Sequence, residues 1–292
     1  MSADLIELRA NGLSFSAHAA GAGPLVLCLH GFPDHAGSFR HQLPALAAAG
    51  YRAVAPTMRG YQPSSQPPDG DYHVVRLAED VVGWLDHLGA ERCHLVGHDW
   101  GAVTAYAVAA LAPERLLSLT TLAVPPLRRM GRAVLRYPGQ LRNSWYMAFF
   151  QLRGLSDRVV ARNDWAFLER LWRAWSPGWD WPAEDMAALK RSFAQPGVLT
   201  AALGYYRAFA SGGPAARRTR ELLQAATPVR LLALTGARDG CMDSRLYDLA
   251  CDPRDFPPGG LRVERVADSG HFLHQERPAE VNRLLLDWLA AA

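Results

Sequence analysis

The sequence predicts an α/β fold, a mostly parallel sheet flanked by helices and interrupted by a long helical insert. Three observations carry that expectation. Apolar runs of strand length alternate with amphipathic helical stretches on both sides of the chain's middle, the pattern of a parallel sheet. Between about Pro125 and Thr227 no strand pattern is visible, and this segment holds six of the nine tryptophans. A glycine-flanked turn, Gly97-His98-Asp99-Trp100-Gly101, joins an apolar strand to a small-residue helix.

Taken in order, Leu5 to Ala10 and Leu13 to Ala19 read as two strands joined at Asn11-Gly12, a two-residue hairpin signal. Leu25 to Leu29 is a short continuous apolar run, as expected of a strand buried on both faces. A helix is predicted from about Gly37 to Ala49, a strand over Tyr51 to Ala55, and an amphipathic helix from about Val74 to Leu88. Cys93 to Val96 then leads into the glycine-flanked turn, Ala102 to Leu111 continues as helix, and Leu116 to Ala123 gives another strand. After the insert come a strand over Val229 to Thr235, a helix near Ser244 to Ala250, a strand over Leu261 to Val266 and a closing helix after Pro278. The core is thus expected over 1–125 and 228–292, with a helical cap over 126–227.

Composition narrows the function. A net charge of +3 over 292 residues gives no strong field, so nucleic acid is not an expected partner. No apolar run reaches the length of a membrane span, and the N-terminal residues show no secretory leader pattern. Four cysteines without a CxxC pair, two of them inside strands, fit buried free thiols and a reducing cytoplasm. Arg128, Arg129, Arg132 and Arg136 read as a basic solvated face, and Trp165, Trp172 and Trp175 as core of the insert. No phosphate-binding glycine loop is present. His271 and His274 lack a third ligand, so neither cofactor nor metal is expected.

The chemistry gathers at strand ends. Two glycines around a central reactive residue, between strand and helix, form a nucleophile elbow, and its central residue here is Asp99. A carboxylate needs no base before it attacks, which points to alkyl carbon rather than ester or peptide chemistry. The strand after the insert ends in Gly236-Ala237-Arg238-Asp239, and the last strand is followed by Asp268-Ser269-Gly270-His271. In parallel sheets reactive groups collect beyond the carboxyl ends of strands. The order of nucleophile, acid and histidine is that of the α/β-hydrolase fold.

On these residues the sequence resembles the α/β-hydrolase superfamily over nearly its whole length, and within it the epoxide hydrolases with an aspartate nucleophile. The resemblance implies an oxyanion hole from the backbone N–H groups of Phe32, in His30-Gly31-Phe32-Pro33, and of Trp100; His30 itself reads as structural. It also implies two tyrosine acids on the cap. Trp145-Tyr146-Met147-Ala148-Phe149-Phe150-Gln151 is similar to the first tyrosine segment and Tyr205-Tyr206-Arg207 to the second. Tyr146 and Tyr206 are the expected donors, with Tyr205 as the alternative register. The expected partners are a small apolar epoxide and water, and a homodimer is left open. A haloalkane or haloacid dehalogenase is the runner-up, weakened because Phe32 stands where an asparagine would bind halide and Trp100 where an arginine would hold a carboxylate. A catalytically silent member of the fold would be favoured by loss of Asp99, Asp239 or His271, and all three are present.

Overall fold

The computed structural model describes residues 3–291; Met1, Ser2 and Ala292 of the expected core lie outside the described residues. Eight strands form one sheet: β1 Asp4–Ala10, β2 Leu13–Ala20, β3 Leu25–Leu29, β4 Arg52–Pro56, β5 Cys93–His98, β6 Leu116–Leu122, β7 Leu231–Gly236 and β8 Leu261–Val266. Their spatial order is β1-β2-β4-β3-β5-β6-β7-β8. β1 and β2 run antiparallel at one edge, and β2 is antiparallel to β4; every other neighbouring pair is parallel. The hairpin turns at Asn11 and Gly12, both at positive φ (51° and 75°), so Ala10 faces Leu13 across a two-residue loop.

The inner strands of the sheet are buried on both faces, and β3 shows why its sequence is continuously apolar. Leu25, Leu27 and Leu29 enter one core, while Val26 and Cys28 enter the other, the period-two alternation of a pleated strand. The second core is closed by α1 (Gln42–Ala48) and, at the chain's end, by a long terminal helix. The first is closed by α2 (Val74–His87) and α3 (Trp100–Leu111). The expected helix from Gly37 to Ala49 is broken. A 3-10 turn over Ala36–Phe39 precedes α1, because His35 accepts from the Gly37 amide and the chain turns again before Gln42.

Between β6 and β7 the described chain is helical: α4 (Met130–Arg136), α5 (Gly139–Asn143), α6 (Trp145–Phe149), α7 (Leu155–Trp175), α8 (Ala183–Phe193), α9 (Val198–Phe209) and α10 (Pro214–Gln224). α7 is two helices joined by a break at 162–165, where Asn163, Asp164 and Trp165 all have positive φ. The insert is tied to the sheet at several points. Trp172 donates its indole N–H to the Pro33 carbonyl at 2.9 Å, and Arg128 and Arg129 both reach Asp255. Arg128 stays exposed and Arg129 half-buried, so this part of the basic face is solvated but paired with Asp255 rather than free. After β7 come α11 (Tyr247–Ala250), preceded by a 3-10 turn over Ser244–Leu246 rather than one continuous helix, then α12 (Leu273–Glu276) and α13 (Pro278–Ala290). No described helix is long and apolar enough to cross a membrane.

Candidate active site

Asp99 sits between β5 and α3 with φ 51° and ψ −116°, a strained conformation for a residue with a side chain. The surroundings hold it there. A Cβ on Gly31 would collide with the Asp99 side chain, and one on Gly97 would strike the Gly101 carbonyl, so the turn closes only with glycine at these places. The result is a buried carboxylate pointing off the carboxyl edge of the sheet.

Its two oxygens have different surroundings. Oδ1 accepts a hydrogen bond from the Phe32 amide at 2.7 Å. Oδ2 faces Nε2 of His271 at 3.5 Å. Trp100 is the first residue of α3, where an amide has no intrahelical acceptor, so its N–H is available beside Asp99. Nδ1 of His271 lies 2.9 Å from Oδ2 of Asp239. The other oxygen of Asp239 accepts from the amides of Cys241 and Met242, both at 2.8 Å, which fixes the carboxylate after β7. Burial is the largest single influence on His271 and disfavours its charged form, yet the charges of Asp239 and Cys241 and the hydrogen bonds to Asp239 and Asp99 together outweigh it and raise its pKa well above the ordinary value.

A cavity of about 160 Å³ opens in front of Asp99, lined chiefly by apolar side chains together with Tyr146 and Tyr206. The two tyrosine rings lie 5.7 Å apart at 84°. The Tyr206 ring stands edge-on to Phe32 and Trp100, at 5.3 and 5.0 Å, and its hydroxyl has no hydrogen-bond partner among the described residues. The Tyr146 hydroxyl lies 3.3 Å from Sγ of Cys241. Burial raises the pKa of both hydroxyls well above the usual value, so both keep their protons. Tyr205 is turned away, as adjacent residues of a helix must be. Its hydroxyl donates to the Arg59 carbonyl at 2.7 Å, and Arg59 is itself held by a bidentate pair with Asp80.

The two tyrosine segments are also bonded to each other. Gln151 donates to the Tyr206 carbonyl at 3.1 Å and Arg207 to the Phe150 carbonyl at 3.0 Å, which couples the end of α6 to α9. His30 is structural in geometry: Nδ1 donates to the Gly31 carbonyl and Nε2 accepts from the Met58 amide, both at close range. Burial lowers its pKa to about 3.

A model of the α/β hydrolase fold family matches residues 24–278. The chain belongs to that family. Among its relatives, the AB hydrolase superfamily protein YfhM of Bacillus subtilis is 33% identical over 282 residues, covering 96% of this chain and 95% of that one. Epoxide hydrolase A of Mycobacterium tuberculosis is also 33% identical, over 315 residues, with 96% and 95% covered. Among solved structures, epoxide hydrolase A from Mycobacterium thermoresistibile superposes with a TM-score of 0.81 at 29% identity, covering 99% of this chain and 98% of that one. Within the α/β hydrolases the chain thus falls in the branch that holds the epoxide hydrolases.

Other parts of this α/β hydrolase site carry no signature in the sequence. The His271 amide donates to the Trp175 carbonyl at 3.0 Å, and Glu276 binds both the Gly270 amide and the Ser176 hydroxyl. The insert therefore holds the histidine loop through partners about a hundred residues away, a spacing that no local motif records. Behind the loop, Asp34, His98 and His274 form a second buried cluster, with Oδ2 of Asp34 3.8 Å from Nδ1 of His98 and 3.9 Å from Nε2 of His274. Burial raises Asp34 to about 8, lowers His98 to about 3 and keeps His274 well below its usual value. Burial thus pushes all three toward their neutral forms. Nε2 of His98 donates to the His271 carbonyl at 3.0 Å, so this buried cluster packs against the loop that carries His271.

Proposed function

We propose that the protein hydrolyses an epoxide to a vicinal diol through a covalent ester on Asp99. The observation that carries this reading is the pairing in one cavity of a carboxylate nucleophile with two protonated tyrosine hydroxyls, Tyr146 and Tyr206. Ring opening expels an alkoxide, a poor leaving group unless something gives it a proton. A dehalogenase expels halide and has no need of two such acids.

In this scheme Oδ2 of Asp99, the oxygen not held by the Phe32 amide, attacks an epoxide carbon. Tyr146 and Tyr206 bind the ring oxygen, and one of them protonates it as the carbon–oxygen bond breaks. Help of this kind is worth about 10²–10⁴ in rate. Esterification removes the negative charge beside Nε2 of His271, which lowers the imidazole's proton affinity and suits it to act as a base. His271, oriented by Asp239, takes a proton from water, and the hydroxide attacks the Asp99 carbonyl carbon. The Phe32 and Trp100 amides hold the resulting oxyanion. Of the two protons of water, one restores the tyrosine and the other leaves on the diol, while the water oxygen stays on Asp99. The helical insert acts as a cap that excludes bulk water, and its apolar walls suit an alkyl or aryl epoxide.

The test is to offer matched epoxides and haloalkanes and to measure diol against free halide. Diol without halide is expected, and halide release from the haloalkane at comparable rates would replace this reading with the dehalogenase one. A single turnover in heavy-oxygen water should place the label in the Asp99 side chain before it reaches product.

A further inference from the structure

The insert shows a face that the reaction does not explain. From Leu116 to Ser156 the chain contains no Asp or Glu, yet it carries Arg128, Arg129, Arg132, Arg136, Arg142 and Arg153. The first two are held by Asp255, but the other four have no acidic partner among the described residues. Between those arginines, large apolar side chains stand in solvent. Leu135 is 84% exposed, Leu141 68%, and Trp145, Leu152 and Leu155 about half. Of the seven large hydrophobics this exposed among the described residues, five fall in this one stretch, and a sixth, Phe209, lines the cavity. Scattered exposed leucines are ordinary; a cluster of them rimmed by cations marks an interaction surface.

The face also adjoins the cavity. Met130, Val134 and Met147 line it from α4 and α6, the same short helices that carry Leu135 and Trp145, and all three are half-buried, as is expected at a rim. We propose that α4 to α6 and the turn to α7 form a docking face for an anionic lipid surface, set around the mouth of the cavity. Leucines and a tryptophan enter the headgroup boundary, while the arginine stems lie along it with their guanidinium groups on lipid phosphates and carboxylates. The helices are short and lie on the surface; they do not span it.

Charge selects this occupant over a second copy of the chain. A symmetric dimer through this face would set one arginine-rich surface against an identical one, with no acid in the stretch to pair with Arg132, Arg136, Arg142 or Arg153. An apolar epoxide dissolved in a bilayer would then pass from the lipid into the cavity without crossing water. That delivery step rests on the reading of the cavity given above. The docking itself does not, so either can fail alone.

The experiment is co-flotation of the full chain with vesicles of phosphatidylcholine alone and of phosphatidylcholine mixed with phosphatidylserine. Binding is expected on the mixed vesicles only, falling steeply as salt is raised. Each basic residue near an anionic surface contributes about fivefold in partitioning, so R132Q/R136Q/R142Q/R153Q should lower it by about 600-fold. L135S/L141S/L152S should lower it as well, with turnover of a water-soluble epoxide unchanged in both variants. Equal partitioning on the two vesicle types, or none on either, overturns the proposal. So does binding that the arginine changes leave intact, or a dimer in solution that the leucine changes dissociate. The salt dependence of the unmodified protein decides the matter even where a variant folds poorly.

Discussion

The sheet and the insert bring opposite kinds of chemistry to one cavity. All ten histidines lie outside the 126–227 segment, and so do Asp99 and Asp239; the insert has no histidine and contributes hydroxyls and apolar walls. Groups that must hold charge are fixed on the sheet, where strand ends, amides and glycine-permitted close approaches leave each one a single position. Asp99 is the extreme case, held at positive φ with one oxygen tied by an amide. The insert instead holds its tyrosines by ring packing and helix-to-helix hydrogen bonds.

That division predicts an ordered series of losses. Asp99→Ala should remove turnover altogether, a fall on the order of 10⁴ or more, since nothing else in the cavity can form the ester. Asp99→Asn should do the same, apart from traces restored by slow deamidation. Steady-state diol formation measures both, and a variant that retained a tenth of its activity would move the nucleophile elsewhere. His271→Gln should stop the second half-reaction while sparing the first. The expected sign is substrate mass added to the peptide bearing Asp99, and unmodified protein after exposure to epoxide would remove the two-step scheme.

The insert's contribution should be smaller and divisible. Tyr146→Phe and Tyr206→Phe are each expected to slow ring opening by about 10² or more, within the usual range for a general acid, and the double change should be slower than either. Single-turnover ester formation isolates this step. Full activity in the double variant would leave the insert as a mere wall and erase the comparison.

Much of this was legible in the sequence, and unevenly so between the two regions. β3 and β8 fall where the apolar runs place them, and Asp99, Asp239 and His271 meet as their strand-end positions imply. Local pattern suffices there because each group follows directly on a strand whose direction is fixed by the sheet. In the insert the pattern gave helices without their arrangement. The break at Asn163–Trp165 and the grip of Trp175 and Ser176 on the histidine loop depend on packing between distant segments. Arg128 and Arg129 show the same blindness, since their partner Asp255 lies beyond β7.

Acid should expose the sheet side of the comparison. His30 and His98 are buried neutral, with pKa values lowered to about 3. The unfolded chain takes up their protons below about 6.5 and the folded one does not, so their stabilisation is complete above that pH and drains away as pH falls toward 3. Each contributes a slope of about 1.4 kcal/mol per pH unit in that window. Asp34 acts in the opposite sense. Its pKa is raised to about 8, so its contribution is greatest below its unfolded value and is lost as pH rises toward 8, which offsets one histidine between pH 4 and 6.5. Urea midpoints at successive pH values should therefore fall below pH 6.5, and a flat profile would mean that these histidines titrate freely in the folded protein.

The smallest effects on stability should come from two neighbours in α9, and they separate function from stability most cleanly. Tyr205 spends its hydroxyl on the Arg59 carbonyl, a buried acceptor that the Tyr205→Phe change leaves unsatisfied. A loss of about 1 kcal/mol of stability is expected, with ring opening altered less than about threefold. Tyr206 has no such bond among the described residues, so Tyr206→Phe should cost no stability and can even add some, because a buried unpartnered hydroxyl is removed. The thermal midpoint should fall in Tyr205→Phe alone, and the single-turnover rate should fall in Tyr206→Phe alone. If Tyr205→Phe proved the slower enzyme and Tyr206→Phe the less stable protein, the two side chains would have to exchange places, and with them the register by which the insert meets the sheet.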